Sequence, residues 1–214
     1  MKRIIDKTFV ISTIICLLPT ILILAMYDKL PQQIPIHFDT NGNADGFTDK
    51  FYYIFFPSLM AAINVITNIG LNTDPKRESS PSIVRSLGKW IVPVLSCVIV
   101  SMTMLQVLGV DVRFEIIIPM VVGVLFIVMG NYMPKCKQSY TVGIKIPWTL
   151  NDEENWNKTH RFAGFLWVLG GIVFIIGAFF KITYIIIGVL IVITIVPMIY
   201  SFLLYRKKEK ARKS

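Results

Sequence analysis

Six long apolar runs, separated by polar segments that hold almost all the charge, set the pattern of this 214-residue chain. Phe9–Tyr27, Phe51–Leu71, Trp90–Val110, Phe162–Phe180 and Tyr184–Tyr205 contain no Asp, Glu, Lys or Arg, and Phe114–Met133 carries only Glu115, at its edge. A hydrocarbon core of about 30 Å takes about 20 apolar residues to cross as a helix. In lipid each backbone polar group must be satisfied within its own segment, and the ten-residue alternation of a barrel is absent. The pattern predicts an all-α integral membrane protein, a bundle of six transmembrane helices in one membrane domain over residues 1–214. The first run spans 19 residues and ends Ala25-Met26-Tyr27. It is longer than the roughly 7–15 residues of a signal-peptide core and lacks a small-x-small cleavage site, so it reads as an uncleaved helix. Pro19, Pro57, Pro93, Pro119 and Pro197 put a proline in five of the six spans. Each frees a backbone carbonyl, which helix packing accommodates.

The basic residues give the spans a direction. The N-terminus, the 72–89 and 134–161 loops and the C-terminal tail hold 18 of the 22 Lys and Arg, against 4 in the alternate segments. The crowded side is expected to be cytoplasmic, with both termini inside (N-in/C-in) and loop 28–50 outside. The net charge of +9 is thereby explained by topology, and no nucleic-acid partner is implied. The tail from Arg206 to Lys213 is also placed to touch anionic lipid or an acidic partner. Cys16 and Cys97 fall within spans and Cys136 on the inner side, so a disulfide is not expected.

Both long loops read as structured. In the outer loop, Pro31, Pro35 and the Ile34/Ile36/Phe38 alternation predict a short extended segment. Asn41-Gly42 and Asp45-Gly46 then supply residues that tolerate positive φ, so a turn follows. A lone hairpin is marginal in water, so this segment is expected to lie on the membrane surface or on the helix ends. The cytoplasmic loop, 134–161, contains Gly143-Ile144-Lys145-Ile146-Pro147-Trp148-Thr149-Leu150 and then Asn151-Asp152-Glu153-Glu154, which reads as a helix start with Asn151 as N-cap and Glu154 closing a capping box. Trp156 and His160 follow one turn apart on one face. A loop that only reconnects two helices needs none of this density, which suggests a specific surface.

Catalytic chemistry finds little support. His37 and His160 lie on opposite sides of the hydrocarbon, and no spacing matches a metal motif. Nucleophile-elbow, zinc-protease and phosphate-loop motifs are missing. No catalytic residue, metal or cofactor is expected. The spans hold neutral polar groups instead, Asn64 and Asn68 on one face and Asn131 near the end of the fourth span. These read as interhelical hydrogen bonds or as the lining for a bound peptide or lipid headgroup.

Two loop motifs resemble a known family. Leu30-Pro31, Ile34-Pro35-Ile36-His37-Phe38 and Asn41-Gly42 through Gly46 are similar to its N-terminal motif. Gly143 to Leu150, Asn151 to Trp156 and Lys158-Thr159-His160-Arg161-Phe162-Ala163-Gly164 are similar to its C-terminal signature. Together they resemble the SdpI family of immunity proteins. The resemblance implies a multi-pass protein of a bacterial cell membrane that protects the cell from a secreted toxin peptide. It also implies a receptor that holds a cytoplasmic repressor at the membrane. Lys145-Ile146 departs from the Arg-Thr of the family pattern; the charge is kept and the planar guanidinium fork is lost.

The candidate binding residues are therefore Pro35, His37, Asp39, Gly42, Asp45 and Gly46 outside. Inside they are Gly143, Lys145, Pro147, Trp148, Thr149, Trp156, His160 and Arg161. Four acids against two basic residues in the outer loop would attract a cationic peptide. A peptide or lipid transporter and a membrane enzyme acting on lipid or cell-wall precursors remain alternatives.

Overall fold

The computed structural model describes residues 4–39, 42–76, 82–180 and 183–213. Asn41 of the expected turn, residues 77–81 of the 72–89 loop and Lys181 lie outside the described residues. In chain order the elements are α1 (Lys7–Ala25), β1 (Gln33–Phe38), β2 (Ala44–Asp49), α2 (Lys50–Tyr53), α3 (Phe56–Thr73), α4 (Ser82–Val107), α5 (Phe114–Tyr132), α6 (Pro147–Leu150), α7 (Glu153–Phe179) and α8 (Thr183–Lys213). Six helices are long and apolar enough to cross a membrane, and each covers one of the six apolar runs.

The helix ends differ from the ends of the apolar runs. α4 begins at Ser82 rather than near Trp90 and α8 runs on to Lys213, while α7 begins at Glu153, at the helix start read over Asn151–Glu154, and continues through the fifth apolar run. Apolar runs mark only the lipid-facing part of a helix. Lys, Arg, Glu and Ala of the tail are good helix formers, so α8 continues through them. The second span is preceded by α2, and α3 restarts with Pro57 in its first turn, where the missing N–H costs nothing. The mainly helical chain also carries one antiparallel hairpin, β1–β2, for which an all-α description has no place.

The chain forms two compact units, Met1–Thr73 with Arg85–Glu115, and Asp74–Val84 with Ile116–Ser214. In the first, polar side chains stitch α1 to α3 and α4. Asp6 caps α1 through the Phe9 N–H at 2.8 Å and forms an ion pair with the buried Lys89 of α4. Asn64 and Asn68 are fully buried, and the Asn64 amide bonds the hydroxyls of Ser12 (3.0 Å) and Thr13 (3.2 Å). The expected interhelical bond is thus in place. Ser96 adds a hydroxyl bond to the Cys16 carbonyl at 3.0 Å. Above this polar layer Ile23, Leu30, Ile34, Tyr53, Val100 and Met104 form an apolar cluster. Ile34 belongs to β1, so the hairpin gains from helix packing the stability that two strands alone would lack.

The second unit is held by close backbone approach. A Cβ on Gly123 would lie 2.7 Å from the Gly171 carbonyl oxygen, and one on Gly130 would lie 2.8 Å from that of Gly164. The two pairs repeat at seven-residue spacing and seat α5 directly on α7, the small-residue packing that membranes favour. The Trp167 indole donates to the Ile193 carbonyl at 3.2 Å, tying α7 to α8.

Candidate functional site

The six candidate residues of loop 28–50 gather in one hairpin. Pairing runs Gln33 with Asp49, Pro35 with Phe47 and His37 with Gly46, with irregularities either side of His37. Pro35 is buried. His37 and Asp45 are exposed and meet at 2.5 Å, Nδ1 to Oδ1. Gly46 is required there, since a Cβ on it would come within 2.8 Å of the His37 Cβ. At the tip the Asp39 carboxylate accepts the Asn43 N–H at 2.8 Å, and Gly42, at φ +87°, donates its N–H to the Asp39 carbonyl at 3.1 Å. Phe38 stacks on Phe114 with ring centroids 3.8 Å apart. Of the hairpin acids, Asp49 is occupied in capping α2 through the Phe51 N–H (2.8 Å), whereas Asp45 is exposed.

Loop 134–161 is a hydrogen-bonded knot built around α7. Trp156 and His160 are fully buried and stacked, with centroids 3.9 Å apart. The Trp156 indole donates to the Cys136 carbonyl at 2.7 Å. His160 Nδ1 lies 2.8 Å from the Trp156 carbonyl, one turn back, and Nε2 accepts the Ile144 N–H at 2.9 Å. These contacts fix a neutral imidazole protonated at Nδ1. Gly143, at φ +120°, lies flush against both rings, where a Cβ would sit 2.8 Å from the Trp156 edge. Thr149 is also fully buried; its hydroxyl donates to the Ile144 carbonyl (2.7 Å) and accepts the Ile146 N–H (3.1 Å). Lys145, Pro147 and Arg161 are exposed on the outside of this knot, and Trp148 is half-buried against Phe202 and Tyr205 of α8. Asn131, near the end of α5, is exposed.

Two features differ from the sequence reading. The N-cap of α7 is Asp152, which accepts the N–H groups of Glu154 (3.0 Å) and Asn155 (3.3 Å). Asn151 instead closes the short helix α6, so the chain reaches extended geometry one residue later and the Asn151–Glu154 capping box does not form. The second is Asp74, just past α3, which is not among the residues singled out above. It is buried, and its Oδ2 accepts the Ser139 hydroxyl (2.5 Å), the Tyr140 N–H (3.1 Å), and the N–H (3.0 Å) and hydroxyl (2.5 Å) of Thr141. Only the lone acid after the span, followed by Pro75, hinted at it.

Two family models match stretches that take in these loops and the helices beside them. The family model described as the SdpI/YfhL protein family matches residues 135–201, and a model described as a domain of unknown function (DUF1648) matches residues 14–61. The immunity protein SdpI of Bacillus subtilis (strain 168) is 29% identical over 197 residues, covering 92% of this chain and 93% of that protein. No solved structure matches the chain.

Proposed function

We propose that this chain, which belongs to the SdpI/YfhL protein family, is a multi-pass immunity protein that protects a bacterial cell from a secreted toxin peptide acting at its membrane. The observation that carries the reading is the similarity to an immunity protein along almost the whole of both chains. The proposed orientation puts both termini in the cytoplasm, the hairpin outside and the 134–161 knot inside, as the distribution of Lys and Arg favours.

On this reading the toxin is met at the hairpin or within the bilayer. Asp45 and His37 offer a polar contact, beside exposed Phe47, Phe51 and Tyr52. Inside, the buried Trp156, His160 and Thr149 hold a fixed shape, and Lys145, Pro147 and Arg161 form its accessible rim. That rim is where a cytoplasmic repressor would be held if the receptor role extends to this chain. No bond-making chemistry is assigned to either loop.

Expression of the chain in a sensitive bacterium, followed by challenge with candidate killing peptides, tests the reading. Survival at peptide doses that kill the control is expected. No protection from any peptide sinks the immunity role, and peptide cleared from the medium at the expense of an ion gradient would make the chain a transporter.

A further inference from the structure

We propose that the groove between α6 and the last turns of α8 binds the zwitterionic phosphoethanolamine headgroup of an inner-leaflet glycerophospholipid. The groove has a volume of about 560 Å³, and Trp148, Glu153, Tyr205, Lys208, Glu209 and Arg212 are among the residues that line it.

Three observations converge on this ligand. The four α8 residues are spaced 205, 208, 209, 212, which places them on one helix face. The same face continues toward the middle of α8 as Ile191, Ile195, Met198 and Phe202, all exposed and all apolar. It is therefore an apolar track that ends in aromatic rings and then in charges, the order of groups along a lipid from chain to headgroup. Charge of both signs supplies the third observation. Lys208 and Arg212 are one turn apart, the spacing for a phosphate, while Glu153 and Glu209 offer carboxylates to an ammonium. Lys208 is shared with Asp152 at 2.7 Å and Glu209 approaches Lys213 at 4.0 Å, so the groove is close to neutral and not a general anion trap. Trp148 and Tyr205, stacked with centroids 6.1 Å apart, both line the groove, and aromatic rings attract an ammonium. A lipid occupant is favoured over a protein because the apolar track leads into the groove from the membrane-spanning part of α8.

The leaflet rests on the proposed orientation, whereas the groove and its test are independent of the immunity reading. The full chain is purified in detergent, delipidated, and titrated with phosphatidylethanolamine or phosphatidylglycerol of matched acyl chains, with bound lipid counted by native mass spectrometry. Wild type is expected to retain phosphatidylethanolamine selectively. Arg212→Glu should weaken retention roughly tenfold, the scale of one charge-assisted contact. The exchange Glu209→Arg with Arg212→Glu should recover part of the loss, and Lys137→Glu, exposed away from the groove, should leave retention unchanged. An unchanged melting temperature in the α8 variants rules out misfolding as the cause. Equal retention of the two lipids overturns the proposal, as does indifference to Arg212→Glu. Displacement of the bound lipid by a soluble oligolysine peptide, with no preference between lipids, would make a basic protein segment the occupant and overturn it as well.

Discussion

Asp74 and Thr141 meet twice, through the Thr141 N–H at 3.0 Å and its hydroxyl at 2.5 Å, both on the same carboxylate oxygen. The Ser139 hydroxyl and the Tyr140 N–H converge there too, and the Lys76 N–H takes the other oxygen at 2.8 Å. One buried anion thus fixes the start of the 139–146 segment. Burial alone would raise its pKa, but bonds from Ser139, Thr141 and the Lys76 and Thr141 amides outweigh that and hold the carboxyl below its usual value. Asp74→Asn removes the charge and turns an NH₂ toward the donors. The expected loss is about 2–3 kcal/mol, seen as a lower melting temperature and faster trypsin cleavage at Lys137 and Lys145. Because the folded pKa is depressed, the contribution is complete above the ordinary value of 3.8 and fades as pH falls through the lowered one. The gap in melting temperature between wild type and variant should stay constant from about pH 5 to 8 and narrow below about pH 4.

Gly143 packs against the Trp156 ring edge and the His160 Nε2. At φ +120° any side chain is strained, and a Cβ would collide with Trp156 and His160. Gly143→Ala is expected to cost more than about 2 kcal/mol in thermal unfolding of the purified protein. A wild-type melting curve would show that the loop can move off the rings and that the knot is softer than its contacts indicate.

His160 joins the loop to α7 through one directed bond, its Nε2 accepting the Ile144 N–H, while Nδ1 bonds the Trp156 carbonyl within α7. His160→Ala leaves the Ile144 N–H without its acceptor and opens a void beside Trp156, so a loss of about 2–4 kcal/mol is expected. His160→Gln keeps an acceptor within reach and should recover part of it. If protection of cells tracks the melting temperatures of the two variants, His160 acts by holding the loop. Loss of protection in a variant of unchanged stability would assign it a direct contact instead.

Much of this was legible in the residues, and the remainder has a physical reason. The apolar runs mark six helices because lipid imposes a length and a polarity on anything that crosses it. They do not mark helix ends, since Asp152 and Ser82 lie outside the runs, where capping and propensity set the ends instead. The spacing of Asn64 and Asn68 put them on one face and left open whether they bond a neighbouring helix or line a binding site; the bonds to Ser12 and Thr13 are what the fold adds. Asp74 was not legible, because its partners at 139–141 are more than sixty residues away. Trp156 and His160 were visible as a pair on one face. Their burial was not, because it depends on Gly143 and Cys136 folding back over them.

Asp45 is an exposed acid of the hairpin. Its side chain pairs with His37 at the surface, where an ion pair contributes little to stability. Asp45→Lys should shift the melting temperature by no more than about 0.5 kcal/mol would. If the hairpin attracts a cationic peptide, the same change should raise the sensitivity of expressing cells to that peptide, most clearly at low salt. Unaltered protection at both salt concentrations would move toxin recognition away from the hairpin.

The orientation itself is open to a direct measurement. Asp45 and Lys145 are both exposed, and positive-inside placement puts them on opposite sides of the membrane. The native thiols give a low background, since Cys16 and Cys136 are buried and Cys97 is only partly accessible. Asp45→Cys in intact cells should react with a membrane-impermeant maleimide. Lys145→Cys should react only after the cells are opened. The reverse pattern would invert the topology and place the hairpin in the cytoplasm. A peptide arriving from outside would then have to reach the 134–161 knot first, and the roles proposed for the two loops would exchange.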